Sequence, residues 1–213
     1  RYSNTYGVYS YSSGPILGGN IFAGNTNYDL YYSGTTTGSI TNNTIANGIF
    51  LPANTITDFS GNTIACNPNY PSQVVANDVG RFLANTLTNT ENSFLNVSTG
   101  TITKDATWPA KLPLHVAGNI TVNGTDGVDS ITTLTIEPGV EVKFNSYTQL
   151  TVGASSGDPG ALIAQGTSEN PILFTSSQAT PAPGNWYGIC VYNTADDATT
   201  ILDHCIICLL YTS

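Results

Sequence analysis

LTIEPGVEVKFNSYTQLTVGASSGDPGALIAQGTSENPILF, Leu134 to Phe174, is the stretch whose reading decides the fold. Apolar residues alternate with single polar ones at Leu134 and Ile136, Val140, Val142 and Phe144, Leu150 and Val152, Leu162 and Ala164, Ile172 and Phe174. Each group is followed by a turn signal: Pro138-Gly139, Asn145-Ser146, Asp158-Pro159-Gly160 or Asn170-Pro171. Alternation over so few residues predicts short half-buried strands. Strands this short cannot each form one face of a sandwich and must gain burial by stacking on neighbours. Strand, tight corner, strand is how a chain winds into a solenoid around a narrow apolar core.

Composition agrees. Only 9 % of the 213 residues are charged, while 40 % are apolar, and the polar surface is made mostly of Thr, Asn and Ser. Such a mixture disfavours helices and favours strands with turns. The formal charge of −9 repels phosphate backbones, so nucleic acid is not an expected partner. Cys66, Cys190, Cys205 and Cys208 are too few and scattered for a disulfide framework or a zinc site, and no metal or cofactor is implied. No run of apolar residues is long enough to span a membrane. Residues 208–213 match the translation of a transposon end used in sequencing libraries and are expected to lie outside the native fold. The chain is expected to be an internal piece of a longer exported protein.

The first block, residues 1–97, is rich in Asn-x-apolar triplets, at Asn20, Asn43, Asn54, Asn62 and Asn85. The spacings between the triplets at 20, 43, 62 and 85 are those of single solenoid coils. Asn side chains before each strand are expected to hold αL corners and to hydrogen-bond the equivalent amide one rung away, or simply to mark exposed turns. Between Pro71 and Leu87 the period changes, with Val75, Val79, Phe82 and Leu83 at helical spacing. One short helix or a strand fits there. A second block is expected over 98–207, with His115–Val122 as its first strand.

Thr107-Trp108-Pro109, the run Leu134 to Val140, Leu150-Thr151-Val152, Ile163 to Thr167, Pro171 to Ser176 and Trp186-Tyr187-Gly188-Ile189 resemble the opening coils of secreted bacterial right-handed parallel β-helix repeat proteins. Their superfamily also contains pectate lyases and polygalacturonases, and the resemblance covers about residues 15–207. It implies an all-β, right-handed parallel β-helix (solenoid), extracellular or at the cell surface. For activity it implies little, because fold and function are separable.

A polygalacturonase-like hydrolase needs paired carboxylates. The nearest material is Asn193-Thr194-Ala195-Asp196-Asp197 followed by Asp203-His204. The family pattern resembles an N-T-D, a D-D after Gly and a His between two Gly. Here Ala195 replaces the first Asp, no Gly precedes Asp196, and His204 lies between Asp203 and Cys205. Asp196, Asp197 and His204 are therefore the catalytic candidates, with a solvated corner as the plainer reading. A lyase needs a cationic base, and Lys143 alternates with Val142 and Phe144 as an outward surface residue. Asp126-Gly127-Val128-Asp129 lacks the further carboxylates of a calcium loop and reads as a corner. His115 reads as structural.

Tyr28, Tyr31 and Tyr32, with the earlier Tyr6, Tyr9 and Tyr11, are the ligand-binding candidates. They form either an aromatic strip that meets sugar rings or part of the core. Thr-x-Thr pairs at 35, 55, 101 and 133 do not recur at one coil spacing, as a flat ice-binding face requires. The expected role is a non-enzymatic stalk or adhesion surface in contact with polysaccharide or cell-surface components, and the contrasting reading is a polysaccharide-active hydrolase or lyase.

Overall fold

The computed structural model describes residues 5–51, 56–155 and 157–208. Asn54 and Thr55 of one triplet, and 209–213 of the tail, lie outside the described residues. Contacts divide the chain into two compact units, Arg1–Asn96 and Val97–Ser213.

In the first unit each coil contributes strands to separate parallel sheets. The first coil holds β1 (Val8–Tyr11), β2 (Ile16–Gly18) and β3 (Ile21–Phe22), and the second β4 (Leu30–Ser33), β5 (Ser39–Thr41) and β6 (Thr44–Ile45). The third holds β7 (Ile49–Leu51), β8 (Asp58–Ser60) and β9 (Thr63–Ala65). In the fourth, β10 (Gln73–Val75) and β11 (Thr86–Thr88) flank a 3₁₀ helix over Ala76–Ala84. Strands β1-β4-β7-β10 pair in that order, as do β2-β5-β8 and β3-β6-β9-β11. Leu30, Ile40, Ile45, Ile49, Ile64 and Val74 point into the coils and are fully or almost fully buried.

The expected amide ladder is present. Asn43 takes the backbone N–H and side-chain amide of Asn20 on its Oδ1, at 2.9 and 3.0 Å. Asn62 does the same for Asn43 and Asn85 for Asn62, with donor–acceptor distances between 2.8 and 3.0 Å. The steps are 23, 19 and 23 residues. Each inner Asn also donates to carbonyls of the coils, Asn62 to Ile40 at 2.8 Å and Ser60 at 3.2 Å. The αL residue expected at the ladder position sits one residue earlier, at Gly19, Asn42 and Gly61. The ladder side chain thereby stays under the corner, where it can reach its neighbour.

The segment after Pro71 resolves differently from its helical spacing. A strand comes first, and the helix that follows is 3₁₀, with Ala76, Val79 and Phe82 buried at a step of three and Leu83 45 % exposed. Three residues per turn stack every third side chain on one line. The ring of Phe82 meets that of Phe59 edge-on, with centroids 5.1 Å apart.

Strand β12 (Leu95–Ser98) carries the chain into the second unit. There β13 (Gly100–Ile102), β14 (Ala106–Trp108) and β15 (Leu114–Val116) are followed by β16 (Ile120–Val122), β17 (Thr132–Ile136) and β18 (Glu141–Phe144). Then come β19 (Gln149–Val152), β20 (Gly160–Gln165), β21 (Ile172–Ser176), β22 (Gly188–Val191), β23 (Ile201–Asp203) and β24 (Cys205–Ile207). They form parallel sheets β13-β16-β19-β22, β14-β17-β20-β23 and β15-β18-β21-β24. The stretch expected as one strand, His115–Val122, is two, because Ala117-Gly118-Asn119 turns a corner between β15 and β16. Every apolar residue of the alternating groups between Leu134 and Phe174 is at most 1 % exposed. Gly160 is required by packing, since a Cβ there would strike the Val122 carbonyl of the coil before it. Trp186 lies flat on Phe144, rings 4.3 Å apart and 3° from parallel, and its indole N–H donates to the Cys208 carbonyl at 2.9 Å.

Candidate functional site

Parallel in-register pairing places like positions of successive coils in one column. On the outward face of β1, β4 and β7 this pairs Tyr9 with Tyr31 and Tyr31 with Phe50. Tyr9 and Tyr31 stack at 5.5 Å and 13°, and Tyr31 and Phe50 at 4.3 Å and 1°. Tyr6 closes on Tyr31 at 4.7 Å and on Tyr9 at 5.8 Å. Tyr28 joins from the preceding corner, 5.5 Å from Phe50 and 5.7 Å from Tyr70. The result is an aromatic strip with half-buried inner rings and Tyr9 55 % exposed.

Because the column rings stack along the coil direction, their faces are shared with each other. Tyr9 is exposed, and Tyr31 and Phe50 keep only their outward edges open. Burial and the neighbouring phenols, Tyr31 first among them for Tyr28 and Tyr6 for Tyr31, push the Tyr28 and Tyr31 hydroxyls above the usual tyrosine range. The Tyr28 and Tyr31 hydroxyls therefore stay protonated over the physiological range.

A buried carboxylate fixes the corner beneath Tyr28. Asp29 accepts the backbone N–H groups of Ala46 and Asn47 at 2.7 and 2.8 Å, and the Asn25 side-chain amide at 2.6 Å. A second amide column runs nearby, from Asn67 to Asn47 and from Asn47 to the Asn25 and Asn27 carbonyls. Of the tyrosine candidates, Tyr28 and Tyr31 belong to the strip, whereas Tyr32 is turned into the core. Tyr32 is 0 % exposed, its hydroxyl has no hydrogen-bond partner among the described residues, and burial pushes it up to about 12. Phe50 and Tyr70 were not among the sequence candidates. The signal for Phe50 was available, since the 19-residue step from Asn43 to Asn62 also leads from Tyr31 to Phe50.

The carboxylate candidates sit in the second unit. Asp196 caps its own loop, accepting the Thr199 N–H at 2.8 Å and holding Thr200 through its carbonyl. Asp197 is exposed. His204 occupies an αL corner at φ 47° with Nδ1 2.9 Å from Asp203, its chain neighbour. These interactions are those of a loop and a corner between strands. Asp126 likewise accepts the Asp105 N–H at 2.9 Å, and Asp129 the Ile131 N–H at 3.2 Å, as corner residues.

Lys143 and His115 are partners on adjacent strands, and Lys143 pairs with Glu141 at 3.1 Å. Burial and then the Lys143 charge lower the His115 imidazole to about 4, against an opposing pull from Glu141. Threonines do form columns, but not as Thr-x-Thr pairs: Thr44, Thr63 and Thr86 align on one exposed line, and Thr101, Thr121 and Thr151 on another that runs from exposed to buried. Beside the first line, Ala65 aligns with Thr88 rather than with a second threonine column, so the hydroxyl array extends in one direction only.

Two family models match the chain. One, described as a pectate-lyase-like beta helix domain, matches residues 100–200. The other, described as periplasmic copper-binding protein (NosD), matches residues 1–127. No curated protein and no solved structure matches. The second match spans more than half of the chain, and its coils have the pairing and inward alternation of a parallel β-helix. The chain belongs to the NosD family of parallel β-helix repeat proteins.

Proposed function

We propose that this chain is a non-catalytic, extracytoplasmic β-helix module, a rigid stalk or adhesion surface, whose contact face is the aromatic strip of the first unit and whose partner is a neutral polysaccharide. The observation that carries it is the strip itself, large apolar rings kept on the outside of the coils and ordered by register. Pyranose rings present C–H faces that pack on an open aromatic ring, while phenol hydroxyls meet sugar hydroxyls at the edges. The exposed ring of Tyr9 and the outward edges of Tyr6, Tyr28, Tyr31 and Tyr70 along the strip make up the contact surface. The acidic balance of the chain disfavours uronate polymers. A location outside the cytoplasm is supported by the family description, whose namesake is periplasmic.

That description also names copper for its namesake, and the residues here do not fit it. Copper is held by convergent thiolate, thioether or imidazole ligands. The chain has no Met, and among the described residues no group of three His, Cys, Asp or Glu could hold a metal. The sulfurs of Cys190, Cys205 and Cys208 lie instead against Gln149 Oε1, the Ala164 carbonyl and Thr175 Oγ1, at 3.6, 3.3 and 3.4 Å. The Cys66 thiol is pushed up by burial, which disfavours the thiolate that binds metal.

The test is affinity electrophoresis through gels carrying neutral or uronate polysaccharides. Retardation in at least one neutral gel, weakened by Tyr9→Ala and unaltered by Tyr147→Ala, is expected. Equal mobility with and without every neutral polymer, or retardation that survives Tyr9→Ala in full, contradicts the proposal.

A further inference from the structure

The same strip places phenols in an arrangement with a chemistry of its own, independent of any sugar. Tyr9 and Tyr31 are Cα partners in a parallel pair, and Tyr31 has the rings of both Tyr9 and Tyr6 within 5.5 Å. No chain movement is needed to bring these rings together. Elsewhere, Tyr147 and Tyr187 form a more exposed pair, 66 % and 48 % exposed, but at 6.1 Å and tilted by 49°. Exposure and preorganisation therefore point to different tyrosines.

We propose that Tyr31 is the hub of an oxidative modification site, where one-electron oxidation couples it to Tyr9 or Tyr6 as an intrachain dityrosine. The oxidant is hydrogen peroxide acting through a haem peroxidase. Each phenol gives up one electron and one proton, leaving two phenoxyl radicals. Their ortho carbons form one C–C bond, and the ring hydrogens move to oxygen as aromaticity returns. Two phenols and one hydrogen peroxide thus give one biphenol and two waters. Coupling is favoured within the stack because a radical there meets a second ring before it meets another molecule. A Tyr9–Tyr31 bond joins β1 to β4 and staples the first two coils covalently.

The experiment treats the full chain, dilute, with a haem peroxidase and limiting hydrogen peroxide. Dityrosine fluorescence is followed in the monomer fraction, and the bond is mapped by mass spectrometry as the loss of two hydrogens. The expected product is monomeric, with Tyr31 joined to Tyr9 or Tyr6. Tyr31→Phe should abolish it, and this variant keeps the stack, since Phe50 already occupies the same column. Tyr147→Phe should leave it unchanged. Cross-linked dimers alone, a bond at Tyr147–Tyr187, an undiminished product in Tyr31→Phe, or no dityrosine would each overturn the proposal.

Discussion

Asn62 shows how much one side chain carries. It accepts from Asn43 and donates to Ile40, Ser60 and Asn85, all in the buried interior of a corner. Asn62→Ala takes the acceptor from the Asn43 backbone N–H and one donor each from the Ile40 and Ser60 carbonyls and Asn85 Oδ1, and a buried unsatisfied group costs about 1–3 kcal/mol. A loss of about 1–3 kcal/mol in urea unfolding of the first unit is expected, with hydrogen exchange at the Asn43 amide accelerated. Asn20→Ala, at the exposed end of the ladder, should cost far less. The ladder was legible because its spacing is written in Asn-x-apolar triplets, but its αL partner was not. Gly19, Asn42 and Gly61 share no side chain, only a tolerance of positive φ.

His115 makes a second residue-scale prediction. Its folded pKa of about 4 lies below the unfolded value near 6.5. Between those values the unfolded chain takes up a proton that the folded chain does not, so stability is fully present above pH ~6.5 and falls as pH drops toward about 4. Lys143→Ala removes a repelling charge and should raise the His115 pKa in an NMR titration. Glu141→Gln should lower it further. No movement in either variant would remove Lys143 and Glu141 as causes.

At the scale of elements, the 3₁₀ helix separates period from composition. The sequence offered Val75, Val79, Phe82 and Leu83 as one α-helical face, but the structure buries Ala76, Val79 and Phe82. The coil pitch decides this: the helix replaces a strand in a coil, and a tight helix fits its line of inward residues to the coil beneath. Phe82→Ala is therefore expected to cost about 3–5 kcal/mol, and Leu83→Ala, at an exposed site, about 0.5 kcal/mol or less. Equal costs in chemical denaturation would restore the α-helical reading. The aromatic strip belongs to this scale as well. Tyr31 could be singled out from sequence, but its partners depend on coil lengths that differ from turn to turn, and Tyr32 beside it alternates into the core.

At the scale of the molecule, fold and function were unequally legible. Period-2 alternation, Gly and Pro corners and the Asn repeat fix a parallel solenoid because backbone pairing and burial leave little else for such strands. The site was less legible. Tyrosines on a strand read alike whether they face inward or outward until the register is known. Asp196, Asp197 and His204 were catalytic candidates with a solvated corner as the plainer reading, and Asp196 caps its loop while His204 turns a corner.

The most direct test of the central claim is incubation of the chain with neutral and uronate polysaccharides, following binding to the insoluble ones together with release of reducing ends and of unsaturated uronates. Binding of a neutral polymer with no product, in the wild type and in Asp196→Asn alike, is the predicted result. Product release that disappears in Asp196→Asn or Asp197→Asn would contradict the account and place a catalytic centre on the second unit.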